Sequence, residues 1–201
     1  MWTPEYIPEG CPPSSFITLN FDPTEKNPSP IEMTWTDGGI RPPHPRIIPA
    51  NSDIGGPGSG NGVLMIGEKG IISTNINDSA PLTPKLYLND GTTEFGPEIE
   101  KNFESDYGHQ RKWVDACKSG FNSKEHLELT SSFDYAGPMT ETVLMGNLAI
   151  RSYMLRKANT KGRFDFFGRK KLIWDGKNIK ITNLEEANQF VGREYRKGWE
   201  I

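Results

Sequence analysis

Residues 139–156 are apolar on most sides of a helical projection through their first half, and Pro138 stands immediately before them. A helix of that kind is normally buried, because no polar face is left to meet water. Gly146 and Ala149 lack the bulk that would hold a neighbouring backbone away. The segment is therefore expected to be the central, well-buried helix of the fold, starting after a helix-initiating proline.

A helix apolar on most sides needs other elements to cover it, and the first half of the chain supplies strand patterns. In residues 16–21, Ile17, Leu19 and Phe21 alternate with Thr18 and Asn20; in 31–35 the apolar set is Ile31, Met33 and Trp35. Period-two alternation gives each strand one buried side. The polar connection between them holds Pro23, Pro28 and Pro30, so the two strands are expected to be antiparallel neighbours joined by a surface loop. A long irregular segment follows, through Gly62. Residues 63–66 and 71–74 then flank Gly67-Glu68-Lys69-Gly70, a hairpin signal, and 85–88 form a short strand bounded by Pro84 and Asp90-Gly91.

Two further helices frame the central one. Residues 108–118 place Trp113, Ala116 and Cys117 on a common side and stop at Gly120. The other starts with Asn183 as N-cap and Glu186 three residues on, with Leu184, Ala187, Val191 and Tyr195 as its apolar stripe. Before it, residues 172–181 read as two short strands around Asp175-Gly176. The expected class is α+β: an antiparallel or mixed open β-sheet with helices packed mainly on one face. At 201 residues one domain is expected, 1–201, with 1–91 mainly strands and loops and 92–201 mainly helices, interrupted by a short hairpin near 163–182. The 21 Gly and 16 Pro require long loops, while five Trp and ten Phe supply a packed core rather than a solvated tail.

Charge and residue chemistry exclude several classes. A net charge of -3 argues against nucleic acid as partner, since phosphate binding needs a clustered basic surface. The nearest cluster is 163–171, where basic residues interleave with Phe164, Phe166 and Phe167; that pattern suits base stacking, but reads more simply as a hairpin edge with protective charges. No apolar run has the length of a membrane span. Cys11 and Cys117 make neither a disulfide framework nor a metal set, and Cys117 is expected to be a small buried residue on its helix. His44, His109 and His126 have no zinc spacing, so no metal is expected.

The glycine run from Gly55 to Gly62 fails as a dinucleotide loop. Such a loop follows a strand and opens a helix, so that helix amides meet the pyrophosphate; this run precedes a strand and lacks GxGxxG order. A flexible loop is the simpler expectation. Asn77-Asp78-Ser79 is a formal glycosylation acceptor, a match common by chance.

Four motifs in order carry a resemblance. Trp35-Thr36-Asp37-Gly38-Gly39-Ile40-Arg41-Pro42-Pro43 is similar to W-Y-D-G-G-x-x-P-P, and Trp113-Val114-Asp115-Ala116-Cys117-Lys118-Ser119-Gly120 to W-x-x-A-C-K-x-G. The stretch from Ser132-Phe133-Asp134-Tyr135-Ala136-Gly137-Pro138 to Arg151, and the closing Tyr195-Arg196-Lys197-Gly198-Trp199, complete the set. Together they resemble the C-terminal domain of the Gfo/Idh/MocA oxidoreductases, from about residue 12 to the end. The resemblance implies an N-terminal Rossmann domain as partner in the full-length parent, which would hold NAD or NADP together with the E-K-P lysine and the D-x-x-x-H histidine. No catalytic, cofactor-binding or metal residue is carried to this chain, and no cofactor is expected in it. The resemblance also implies a sugar or polyol substrate and a homo-oligomer through the exposed sheet face. Some relatives carry an export signal, so cytoplasmic and periplasmic locations are both open.

The candidate substrate-binding residues are Trp35, Asp37, Arg41, His44, Asp134 and Tyr135. A carboxylate at a strand end beside an aromatic suits sugar recognition, because hydroxyls need acceptors and the C–H faces of the ring need a flat apolar wall. The same Asp37 could instead close its strand as a structural Asx-turn. In Arg41-Pro42-Pro43-His44-Pro45-Arg46 prolines stiffen the chain and could hold His44 and Arg41 toward a polyol, against a simpler solvent-exposed loop histidine. Asp134 and Tyr135 precede the central helix and could face a pocket, or only cap a turn and fill the core. The expected function is the substrate-binding and oligomerisation domain of an NAD(P)-dependent oxidoreductase, inactive alone. Two alternatives stand beside it: the same domain of an NAD-dependent glycoside hydrolase, and a freestanding module that binds carbohydrate or protein.

Overall fold

In the computed structural model residues 10, 12–52, 54, 61–75, 84–96 and 108–199 are described. They belong to an α+β protein whose sheets are all antiparallel. The chain groups into two compact units, residues 1–40 with 119–201 and residues 41–118. Where the length of the chain leads one to expect a single core, the buried apolar residues form two clusters, one in each unit.

The first unit opens with β1 (Phe16–Phe21) and β2 (Ile31–Thr36), paired antiparallel so that Ile17 faces Trp35, Leu19 faces Met33 and Phe21 faces Ile31. Both apolar sets therefore share one side of the ribbon. Ile17, Leu19 and Phe21 are half-buried, whereas Ile31, Met33 and Trp35 are exposed.

In the second unit β3 (Gly62–Ile66), β4 (Gly70–Asn75), β5 (Lys85–Leu88) and β6 (Thr93–Phe95) form a four-stranded meander. The expected single sheet is thus divided. Gly67 and Gly70 close the β3–β4 turn, with the Gly67 N–H donating to the Gly70 carbonyl at 3.0 Å. A side chain at Gly70 would run into the Tyr87 carbonyl of β5, which fixes glycine there. Ile71 and Tyr87 project from one side of this sheet onto Ile48 and Ile54, while Val63, Met65 and Ile72 of the other side are exposed. The unit ends in α1 (Gly108–Ser119), and Gly120 follows at φ +90° as expected of a helix terminator. Of the side predicted to be apolar and buried, only Ala116 is covered; Trp113 and Cys117 are exposed.

The chain then enters α2 (Lys124–Leu127), a single turn capped by the Ser123 hydroxyl, which accepts from the His126 N–H at 3.1 Å. The long helix is α3 (Phe133–Tyr153). It begins six residues earlier than the proline suggested, and Pro138 lies inside it. The expectation of deep burial fails: only Gly146 and Ser152 are buried, while Phe133 (93% exposed), Val143 (65%) and Leu144 (51%) face water. The reason is a shortage of covering elements: among the described residues α3 packs chiefly on β1 and on the C-terminal 3-10 helix, with Glu141 accepting from Trp174 Nε1 at 2.6 Å. Gly146 meets β1 closely enough that a Cβ there would lie 3.4 Å from Ile17 Cδ1.

The C-terminal region is held by side chains that replace regular ladders. After hairpins β7 (Lys157–Ala158) with β8 (Phe164–Asp165) and β9 (Trp174–Asp175) with β10 (Lys180–Ile181), the expected third helix is a 3-10 helix, Glu185–Phe190. Asn183 does not cap it. Its amide instead accepts from the Ile173 N–H at 2.9 Å and donates to the Lys171 carbonyl at 2.8 Å. Ile181, Leu184 and Ala187 form the buried core here, with Leu148, Leu155, Phe167, Leu172, Trp174 and Val191 packed around them. Tyr195, the end of the predicted stripe, is exposed.

Candidate functional site

Asp37 follows the last residue of β2, and its carboxylate accepts from three internal donors. Oδ1 accepts from the Ser15 backbone N–H at 2.6 Å; Oδ2 accepts from the Ser15 hydroxyl at 2.9 Å and from Trp35 Nε1 at 3.0 Å. The turn beyond it needs glycine twice, at φ +61° for Gly38 and +88° for Gly39. A side chain on Gly38 would also collide with the Pro13 carbonyl and Ser14. Burial within this turn raises the Asp37 pKa, but the bonds from Trp35 and from the Ser15 hydroxyl and N–H more than reverse that, so it lies below its ordinary value of 3.8.

The chemistry of this arrangement is that of a clamped, ionised carboxylate beside an exposed indole. A carboxylate offers about four acceptor positions, so a ligand hydroxyl can reach at most the remaining one. Trp35 is 60% exposed and edge-fixed by its bond to Asp37, leaving its ring available as a flat wall. Asp37 is thus a positioning group for Trp35 as much as an acceptor.

The other candidates are distributed. Asp134 and Tyr135 stand together in the first turn of α3, both exposed, where Asp134 complements the positive end of the helix dipole. Arg41 and His44 belong to the second unit, and both are exposed. His44 is occupied: its ring nitrogens lie 3.2 Å from the Pro45 carbonyl and 3.1 Å from the Ser52 carbonyl. It therefore braces the loop that carries Ile48 into the core. Cys11, the glycine run 55–60 and Asn77-Asp78-Ser79 lie outside the described residues.

The basic and aromatic cluster of 163–171, read from the sequence as a hairpin edge with protective charges, lies around β7 and β8. Arg156 stacks on Phe164 at 4.4 Å from the ring centroid, and Arg169 stacks on Phe166 at 3.6 Å and on Tyr153 at 4.8 Å. The signal was the alternation of basic and aromatic residues in 163–171; Tyr153 and Arg156, at the end of α3 and just beyond it, could be added only from the folded chain. A nearby cavity of about 490 Å³ is lined by Arg156, Lys157 and Lys170 together with Glu185 and Glu186. None of the six sequence candidates lines it.

Among the described residues no group of three or more His, Cys, Asp or Glu side chains is placed to hold a metal ion, and no helix is long and apolar enough to cross a membrane. No model of a known protein family matches the chain, and no curated protein is similar to it at a significant level.

Proposed function

We propose that this chain is the substrate-binding and oligomerisation domain of an NAD(P)-dependent oxidoreductase acting on a sugar or polyol, with the cofactor held by a Rossmann domain elsewhere in the parent protein. The observation that carries this is the exposed apolar side of α3. A helix apolar on most sides gains stability when covered, yet Phe133, Met139, Val143 and Leu144 are all more than half exposed. A contiguous surface of that kind marks an interface. A second domain seated there would bury it and would bring a cofactor toward Asp134 and Tyr135 at the start of the same helix.

The motif resemblance supports the same reading, because its conspicuous residues have distinct local roles. Asp37, Gly38 and Gly39 build a rigid turn that aims Trp35, and Gly120 ends α1. The exposed side of the four-stranded sheet, with Val63, Met65 and Ile72, suits the contact between copies.

Calorimetric titration of the chain with NAD+ and NADP+, beside a panel of neutral and acidic sugars and polyols, tests the division of labour. No micromolar nicotinamide binding is expected, together with a weak saccharide interaction that Trp35→Ala removes. Micromolar binding of either nucleotide by this chain would contradict it.

A further inference from the structure

The charges of this acidic chain are unevenly placed. Residues 156–180 contain nine Lys or Arg and only two Asp, in a protein of net charge -3. Within that segment and at the end of α3, side chains alternate as a ladder: Phe164, Arg156, Phe166, Arg169, Tyr153. Arg156 lies 4.4 Å from the centroid of Phe164 and 5.8 Å from that of Phe166; Arg169 lies 3.6 Å from Phe166 and 4.8 Å from Tyr153. Among the described residues neither arginine is paired with a carboxylate. Asp165, between the two phenylalanines in sequence, points to the other side of the strand and accepts from Asn159 at 3.0 Å.

A guanidinium seated over a ring still has N–H groups on its edge to offer a ligand, and ring contact limits its freedom before any ligand arrives. That edge matches a planar carboxylate with two parallel hydrogen bonds. Phe164 and Tyr153 are each 53% exposed and offer apolar surface beside the arginines. The combination of ring-seated guanidinium groups and open aromatic surface fits a ligand that has both carboxylates and apolar C–H faces.

We propose that the Arg156–Arg169 ladder binds the carboxylates of a uronic-acid saccharide, so that the sugar handled by this domain is an acidic one. This rests on the sugar-binding reading above. The adjoining cavity has mixed charge through Glu185 and Glu186, so the anion belongs on the ladder and not in the cavity. Nucleic acid fits less well: a duplex carries a charge about every 1.7 Å, and the acidic remainder of the chain would repel phosphates beyond this short strip. A saccharide with one carboxylate per ring needs only the two arginines.

The test is calorimetric titration of the whole chain with trigalacturonate, its methyl ester, maltotriose and a ten-nucleotide oligothymidylate. Trigalacturonate is expected to bind saturably, and methyl esterification, which leaves the protein untouched, to weaken binding about tenfold or more. Arg156→Gln with Arg169→Gln, checked for folding by circular dichroism, should produce a similar loss. Equal binding of trigalacturonate and its ester overturns the proposal, as does tighter binding of the oligonucleotide. If maltotriose binds as well as trigalacturonate, the sugar-binding reading stands and the acidic specificity falls; if no saccharide binds, both fall.

Discussion

Ser15 and Asp37 are joined twice, backbone N–H to Oδ1 at 2.6 Å and hydroxyl to Oδ2 at 2.9 Å, across 22 residues of chain. This pair ties the entry to β1 to the exit from β2 and holds the Gly38-Gly39 turn beneath Pro13 and Ser14. Replacing Asp37 by Ala strands a nearly buried Ser15 N–H and frees Trp35. A loss of about 1–2 kcal/mol is expected, reduced from the value for buried charged pairs by the exposure of the carboxylate. Urea denaturation with an unchanged slope checks it.

The same carboxylate gives a pH dependence with a definite sign. Its pKa in the folded protein lies below the ordinary 3.8, so the folded state binds the proton less readily than the unfolded chain does. The stabilisation is complete above 3.8 and disappears as pH falls through the depressed folded value. Asp37→Asn should therefore flatten the acid limb of a stability profile measured below pH 4.5 or so, while leaving the neutral-to-alkaline limb parallel to that of the native protein.

Asn188 supplies a side-chain substitute for a strand. Its Oδ1 accepts from the Ile181 N–H at 2.7 Å and its Nδ2 donates to the Ile181 carbonyl at 3.0 Å. Ile181 is 2% exposed, so both backbone groups would lose their partner in a buried place. Asn188→Ala should cost about 2–3 kcal/mol, and Asn188→Asp, which keeps only the acceptor, should be intermediate. Thermal unfolding of the three proteins side by side distinguishes these outcomes.

Ile179 ends the β9–β10 turn at φ +51°, a left-handed conformation that is costly for a β-branched residue. The turn is held by Asp175, whose Oδ1 and Oδ2 accept from the Asn178 N–H and amide at 3.1 and 2.7 Å. Ile179→Asn should raise stability by about 0.5–1 kcal/mol, because asparagine tolerates that backbone and Ile179 is itself exposed. A lowered melting temperature in this variant would show that Ile179 has a packing role outweighing its strain.

The strands were the most legible elements because alternation and turn chemistry agree: residues 16–21, 31–35 and the Gly67–Gly70 hairpin follow from local pattern. Thr93-Glu94-Phe95 is too short to show a period and forms β6 only because β5 offers an edge. Pro138 misled as a helix start, since a helix can carry proline within its early turns when the surrounding sequence favours continuation. The 3-10 helix was read as α because its apolar spacing is compatible with both, while Asn183 and Asn188 are committed to irregular backbone. At the candidate site, Trp35 beside Asp37 was visible locally. The partnership with Ser15, and the meeting of Arg156 and Arg169 with three rings, depend on contacts between separate segments that no spacing rule encodes.

The most direct measurement is to sequence the coding DNA upstream of Met1. An uninterrupted frame encoding a strand, a GxGxxG turn, a helix and a later E-K-P is the result this account predicts, making the chain the substrate-binding half of a dehydrogenase-like protein. A stop codon followed by a native start at Met1 would contradict it and leave a binding module with no cofactor domain.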